Sequence, residues 1–143
     1  MKQKGFTLIE LLVAMTVASI LMGLALVSYQ GARKSARDGK RKADLEQIRS
    51  ALEMCRADTG SYPTSIYNNI TCGGQTYLSE TPKDPATSNN YAYTPSPSGC
   101  SPSGSTKCIS YTLCAALEVG GGTVSGCASC GSGVTCNYKV TNP

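Results

Sequence analysis

The sequence predicts an α+β fold: one long N-terminal helix, its first half transmembrane, packed through its second half on a small antiparallel β-sheet in a disulfide-rich domain. Three observations predict it. Residues 6–29 form one apolar run, and a helical pattern continues from Gln30 to Thr59 without an internal proline. The rest of the chain is rich in Gly, Ser and Pro, and its final third contains short alternating segments among most of the eight cysteines.

The apolar run, FTLIELLVAMTVASILMGLALVSY, is about 36 Å long as a helix, enough to cross a hydrocarbon core of roughly 30 Å. It is expected to stay on the mature protein, because no small-x-small cleavage site follows a short apolar core. Glu10 breaks the run. A carboxylate at depth in a bilayer must be protonated, paired or drawn to the interface, so a paired, functional Glu10 is expected. Ala14 with Ala18, and Ser19 with Gly23, place small residues four apart, a spacing that lets helices approach closely.

Beyond Gln30, the positions Leu45, Ile48, Leu52 and Cys55 share one helix face. Lys42 with Glu46, and Arg49 with Glu53, are expected to pair on the exposed side. Gly60 offers a C-terminal cap and Pro63 prevents resumption. The predicted helix, residues 6–59, is near 80 Å long at about 1.5 Å per residue. Residues 61–90 are expected to connect without regular structure. Strands are then predicted at Tyr91-Ala92-Tyr93, within Lys107 to Val119 with Ile109, Tyr111 and Leu113 on one face, and through Val134, Cys136, Tyr138 and Val140. Between them lie a Pro/Ser-rich loop, 94–106, and a Gly-rich loop, 120–133.

The soluble part is small, so its core needs reinforcement. Cys55, Cys72, Cys100, Cys108, Cys114, Cys127, Cys130 and Cys136 are the candidates, all beyond the apolar run. An even count in such surroundings reads as four disulfides made in an oxidising compartment. Cys108 and Cys114 share a strand face that Cys136 is placed to approach, but spacing does not fix the connectivity. A zinc site at Cys127, Cys130 and Cys136, or a redox-active Cys127-Ala-Ser-Cys130 pair, are the competing readings.

Net charge is +4, from 13 Lys and Arg against 9 Asp and Glu. Six of those basic residues fall between Arg33 and Lys42. Five of them, Arg33, Lys34, Arg37, Lys40 and Arg41, cover about a third of the helix circumference and read as a solvated juxtamembrane face meeting anionic lipid. Pairing between subunits is a second use. Nucleic acid is not the expected main partner, because no aromatic residue interleaves the charges. The chain has no histidine, no P-loop and no dinucleotide fingerprint, and Asp84 has no second acid beside it in sequence. No enzyme activity, cofactor or metal is therefore expected.

The opening Met-Lys-Gln-Lys-Gly, followed by Phe6-Thr7-Leu8-Ile9-Glu10, resembles the prepilin leader of type IV pilins and type II secretion pseudopilins. The resemblance continues through Asp44-Leu45, Ala51-Leu52-Glu53, Asp58, Gly60 and Tyr62-Pro63. It extends to Tyr77-Leu78, Pro82-Lys83-Asp84-Pro85 and Tyr91-Ala92-Tyr93, a stretch similar to that of major pseudopilins. It implies a prepilin peptidase cut between Gly5 and Phe6 on the cytoplasmic side, N-methylation of Phe6, and a Glu10 that meets a neighbouring subunit's terminal amine. The implied divisions are 1–5 leader, 6–29 transmembrane and filament core, and 30–143 globular domain. The implied function is polymerisation into a type IV pilus or a type II secretion pseudopilus. The partners are copies of the chain in a helical filament, the membrane, the peptidase and the filament assembly machinery. The subunit would begin as a single-pass protein of the cytoplasmic membrane and finish in an extracellular filament. The positive-inside rule alone would place the cysteines in the cytoplasm, since Lys2 and Lys4 precede the span and six basic residues follow it. Cysteine chemistry and the resemblance both place them outside.

A membrane-anchored, disulfide-rich binding module that never polymerises is the alternative; it would keep its leader and tolerate loss of Glu10. Two departures from the family pattern bear on structure. Many members carry a proline where this chain has Val27, which makes Gly23 the expected weak point of the span. Major pseudopilins often bind calcium in a C-terminal loop through acidic and backbone oxygens, whereas Glu118 is the only acidic residue after Asp84 here. Disulfides are expected to supply the stabilisation that calcium supplies elsewhere.

Overall fold

The computed structural model describes residues 5–131 and 133–143. Its elements are α1 (Leu8–Thr59), β1 (Ile70–Cys72), β2 (Gln75–Leu78), β3 (Ala92–Ser96), β4 (Ser110–Ala115) and β5 (Tyr138–Thr141). The chain divides into two compact units, residues 1–35 and 36–143, and α1 contributes to both.

In the first unit α1 runs without interruption through Gly23 and Val27, so the expected weak point is not realised as a break. Its large apolar side chains, from Leu8 to Tyr29, are exposed. Two hydroxyls embedded among them are satisfied locally: Thr16 donates to the Val13 carbonyl at 2.8 Å and Ser19 to that of Met15 at 2.7 Å. Such back-bonding removes the cost of carrying a hydroxyl into hydrocarbon. Near the end of the run the Arg33 guanidinium lies 5.7 Å from the Tyr29 ring centroid, a pairing suited to an interface that is apolar on one side and wet on the other.

In the second unit the predicted stripe holds. Leu45, Ile48, Leu52 and Cys55 have no solvent exposure, and they join Tyr62, Ile66, Ile70, Tyr93, Tyr111, Leu113 and Val140 in one core. Burying each large aliphatic contributes roughly 1.5–3 kcal/mol. Tyr62 and Tyr111 meet edge to face, with centroids 4.7 Å apart. The helix ends where expected: Gly60 takes φ 71° and its N–H donates to the Arg56 carbonyl at 2.7 Å, a left-handed cap that a Cβ would strain. Next to it, the Tyr62 N–H donates to the Cys108 carbonyl at 2.9 Å, and the Cys108 N–H to Ser61 Oγ at 3.1 Å.

Two sheets form where one was predicted. β3, β4 and β5 make a three-stranded antiparallel sheet with β4 central, pairing Tyr93 with Leu113 and Leu113 with Val140. The unpredicted second sheet is the hairpin β1–β2, lying inside the segment expected to be irregular. Its turn is Gly73-Gly74, both at positive φ, so the Gly pair read as a loop signal is a hairpin signal. Two strand ends also shift. Ile109 precedes β4 and is 60% exposed, not inward with Tyr111. β5 begins at Tyr138, leaving Val134 exposed and outside the sheet. Val134 is held in a turn, its N–H on the Gly131 carbonyl at 3.1 Å, while the Ile109 N–H donates to the Ser96 carbonyl at 3.0 Å.

All eight cysteines are paired: Cys55–Cys72, Cys100–Cys108, Cys114–Cys127 and Cys130–Cys136. The zinc and redox-pair readings both fail, since Cys127 and Cys130 bond to different partners. Cys108, Cys114 and Cys136 do not bond to one another. The first bridge ties α1 to the hairpin, and the last two close the Gly-rich loop.

Candidate functional site

Residues 1–4 of the expected leader lie outside the described residues. Gly5, Phe6 and Thr7 are exposed and precede the helix. Thr7 caps it: its Oγ1 accepts from the Glu10 N–H at 3.3 Å, and its carbonyl from the Leu11 N–H at 3.3 Å. Thr7-Leu8-Ile9-Glu10 thus has the Thr-x-x-Glu spacing of a capping box. Glu10 falls in the first turn, where the helix dipole favours negative charge. Its position serves helix initiation as well as any pairing role.

The basic run does not form one solvated face. Arg41 is 3% exposed and lies at the centre of a charge cluster. Its Nε and NH2 donate to the two Asp84 oxygens at 2.6 and 3.2 Å, while NH1 donates to Asp38 at 2.7 Å and to Glu118 at 2.9 Å. Arg37 clasps Glu118 through Nε at 2.6 Å and NH2 at 2.5 Å. Asp38 also receives the backbone N–H groups of Glu118 and Val119, at 2.9 and 2.7 Å. Asp84 Oδ1 takes those of Ala86 and Thr87 at 2.8 and 2.9 Å. Asp44, beside them, accepts from the Tyr91 hydroxyl at 2.8 Å. Of the six basic residues, Arg41 is thereby an internal structural cation and Arg37 a half-buried one.

The electrostatics follow from this geometry. Arg37 chiefly, with Arg41, holds the Glu118 carboxyl down at about 2 against a modest opposing effect of burial. For Asp84 burial pushes upward, but Arg41 and the Ala86 and Thr87 N–H groups outweigh it and leave the carboxyl at about 2. Burial likewise opposes the lowering of Asp38, which the Glu118 and Val119 N–H groups and Arg41 impose. Burial, then the neighbouring Asp44, pushes the Tyr91 hydroxyl up.

The isolated Asp84 of the sequence is therefore one of three carboxylates around one guanidinium. They do not form an acid/base pair, because each accepts from Arg41 and Glu118 also from Arg37. Asp38 and Asp44 were missed as members of this region. A signal for them exists: Arg41 continues the buried stripe of Leu45, Ile48 and Leu52 by one step of four, with acids three residues to either side. An arginine in line with core positions needs carboxylates.

The expected exposed pairs also change. Arg49 meets Glu46 at 3.5 Å, Lys42 lies over the Tyr138 ring at 5.5 Å, and Glu53 accepts from the Tyr62 and Tyr111 hydroxyls at 3.0 and 3.2 Å. Buried hydroxyls outcompete the solvated guanidinium of Arg49 for Glu53, since an unpaired buried hydroxyl costs more.

A cavity of about 390 Å³ adjoins the cluster, lined among others by Arg41, Asp84, Asn89, Glu118 and Val134. A calcium ion needs six to eight oxygen ligands. The carboxylates here already accept from arginines and backbone N–H groups, and no group of three or more His, Cys, Asp or Glu suited to a metal occurs among the described residues. The residues do not fit the ion.

Comparison with known proteins agrees with the N-terminal geometry. A family model described as the prokaryotic N-terminal methylation motif matches residues 1–26. The type II secretion system core protein G of Escherichia coli K12 is 32% identical over 90 residues, covering 63% of this chain and 58% of that protein. The protein of the same name from Vibrio cholerae is 30% identical over 106 residues, covering 64% of this chain and 70% of its own length. That from Aeromonas hydrophila is 33% identical over 64 residues, 45% of each chain. The chain thus spans between about half and two thirds of the length of these relatives. No solved structure gives a significant match. With the methylation motif, the long apolar helix and its small antiparallel sheets, the chain belongs to the type IV pilin and type II secretion pseudopilin family.

Proposed function

We propose that this chain is a structural subunit cut between Gly5 and Phe6 by a prepilin peptidase, methylated at Phe6 and polymerised into a helical filament. Residues 1–5 are then the leader, 6–29 the membrane span and later the filament core, and 30–143 the globular domain. The observation that carries the reading is Phe6-Thr7-Leu8-Ile9-Glu10 at the head of a helix whose apolar side chains are exposed through Tyr29. Lipid covers such a surface before assembly and the helices of other copies cover it afterwards. The relatives' shared name favours a type II secretion pseudopilus over a surface pilus.

Cleavage creates a positive amine at Phe6, four residues from Glu10. In the filament a neighbour's amine reaches the same carboxylate, and the low-dielectric surroundings strengthen the attraction and penalise misregistered subunits. The pair sets stagger more than overall stability. Intact mass of the protein from its native host is expected to begin at Phe6. Glu10→Ala and Glu10→Gln are expected to retain membrane level and processing while losing filaments in microscopy and shear fractions, with Glu10→Asp intermediate. Processed Glu10→Ala protein that built regular filaments at normal yield would remove the register role. An uncleaved, non-polymerising protein would instead be an anchored binding module.

A further inference from the structure

The C-terminal loop, residues 116–137, is the part of the chain where the family resemblance leads one to look for calcium, and its one carboxylate and several of its carbonyls are already committed. We propose that the protein's own cations, Arg41 and Lys139, replace a divalent ion in ordering this loop, which makes the loop indifferent to calcium and dependent on its two disulfides.

The argument starts from the oxygens. Glu118 is the only acid after Asp84; its Oε1 receives Arg37 Nε and Arg41 NH1, and its Oε2 receives Arg37 NH2. A metal on Glu118 would have to displace both arginines from its oxygens, and one of them is a guanidinium only 3% exposed, for which losing a partner is costly. Several of the loop's carbonyls are engaged too. Lys139 Nζ donates to the Ser125 carbonyl at 3.1 Å, placing an ammonium on a backbone oxygen of the loop. The Gly131 carbonyl accepts from Ser129 Oγ at 2.7 Å and from the Val134 N–H at 3.1 Å, and the Val134 carbonyl from the Cys130 N–H at 3.2 Å.

The loop's two ends are clamped by an amide. Asn137 Oδ1 accepts from the Leu117 N–H at 2.6 Å and its Nδ2 donates to the Leu117 carbonyl at 2.8 Å, so the side chain imitates a strand partner. The clamp uses the bare face of Gly121, where a Cβ would lie 2.1 Å from Asn137 Cγ. Cys114–Cys127 and Cys130–Cys136 close the same loop covalently. The Asp38 carboxylate receives the Glu118 and Val119 N–H groups and fixes the start of the loop to α1. Positive charge, closure and a fixed entry point, which a bound cation would supply together, are divided here among Arg41, Lys139, Asn137, Asp38 and the two bridges.

The test is thermal unfolding of the full oxidised chain in detergent micelles, in millimolar calcium and in EGTA, with limited proteolysis reporting on residues 120–133. The expected shift between the two conditions is below about 1 °C, whereas a site with Kd a hundredth of the calcium concentration would raise Tm by about 10 °C. Arg41→Gln and Lys139→Met are expected to open the loop to protease, Arg41→Gln the more, with no rescue by calcium. Reduction is expected to open it in either condition. A saturable calcium-dependent rise in Tm would overturn the proposal, even if Arg41→Gln failed to fold, and would leave the family membership untouched. Undiminished loop protection in both variants would also overturn it.

Discussion

The same helix is built in two ways. From Leu8 to Ser35 its large apolar side chains are exposed, and the Thr16 and Ser19 hydroxyls bond to its own carbonyls. From Ala36 to Thr59 one face is buried, and that face includes Asp38, Arg41 and Asp44 as well as Leu45, Ile48, Leu52 and Cys55. The difference teaches that secondary structure does not reveal what stabilises a segment. The first stretch leaves its apolar surface bare, and under the proposed function lipid or other helices would cover it. The second is stable through contacts this chain makes with itself.

The sharpest way to break that comparison is to truncate one leucine in each stretch. Leu52→Ala is expected to destabilise the globular unit by about 2–5 kcal/mol, as removing a fully buried leucine generally does. Leu21→Ala, which removes an exposed side chain, is expected to leave denaturant unfolding of that unit unchanged. Equal losses would mean that the two stretches share one core.

The next effect is covalent. Cys55–Cys72 closes a segment of 17 residues between α1 and β1, and the double substitution Cys55→Ala, Cys72→Ala is expected to cost about 3 kcal/mol. The hairpin β1–β2 should lose hydrogen-exchange protection before β3–β5 does. Uniform loss across both sheets would show that the bridge supports the whole core and not the hairpin in particular.

Acid probes the polar part of the buried face. Asp84 and Glu118 titrate at about 2 when folded, against about 4 in an unfolded chain. Both are depressed, so their stabilisation is complete above the unfolded values and is lost as pH falls from about 4.5 towards 2. For Asp84, whose side chain is 14% exposed, the difference is on the order of 2 kcal/mol. Equilibrium unfolding should therefore be nearly flat above pH 5.5 and fall steeply below 4.5, and Arg41→Gln should blunt the slope. An unchanged slope in Arg41→Gln would place the acid sensitivity elsewhere.

How much of this was legible in the sequence depended on which force dominated locally. The apolar run, the stripe of Leu45, Ile48, Leu52 and Cys55, and the stop at Gly60 were readable because each rests on periodicity or backbone conformation. The hairpin at Ile70–Leu78 was missed because three- and four-residue strands are too short to show alternation, though Gly73-Gly74 marked its turn. The charge cluster was half legible: Arg37, Arg41, Asp84 and Glu118 were all noticed, but as a basic face, a lone acid and a missing calcium ligand. What joins them is a tertiary contact across 77 positions between Arg41 and Glu118, and local spacing carries no trace of it. Disulfide connectivity was hidden for another reason: eight cysteines allow about 105 pairings, and spacing does not choose among them.

The smallest expected effect tests the first stretch on its own terms. If Leu8 to Ser35 has only local hydrogen bonds to organise it, its N-terminal turn should respond to a change that no tertiary contact can compensate. Thr7 supplies that turn's cap through the 3.3 Å bond from the Glu10 N–H to Oγ1. Thr7→Ala removes the acceptor, and Thr7→Ser keeps it while deleting only a methyl group. A lost cap costs about 1 kcal/mol, which corresponds to roughly a fivefold change in opening equilibrium. Amide exchange at Ile9 and Glu10 in micelles should therefore quicken about fivefold in Thr7→Ala and stay near the starting rate in Thr7→Ser. Residues beyond Met15 should be unaffected, since each has its own carbonyl partner one turn earlier. Faster exchange extending to Gly23 would instead mean that the segment melts as one unit, with the cap acting as its anchor.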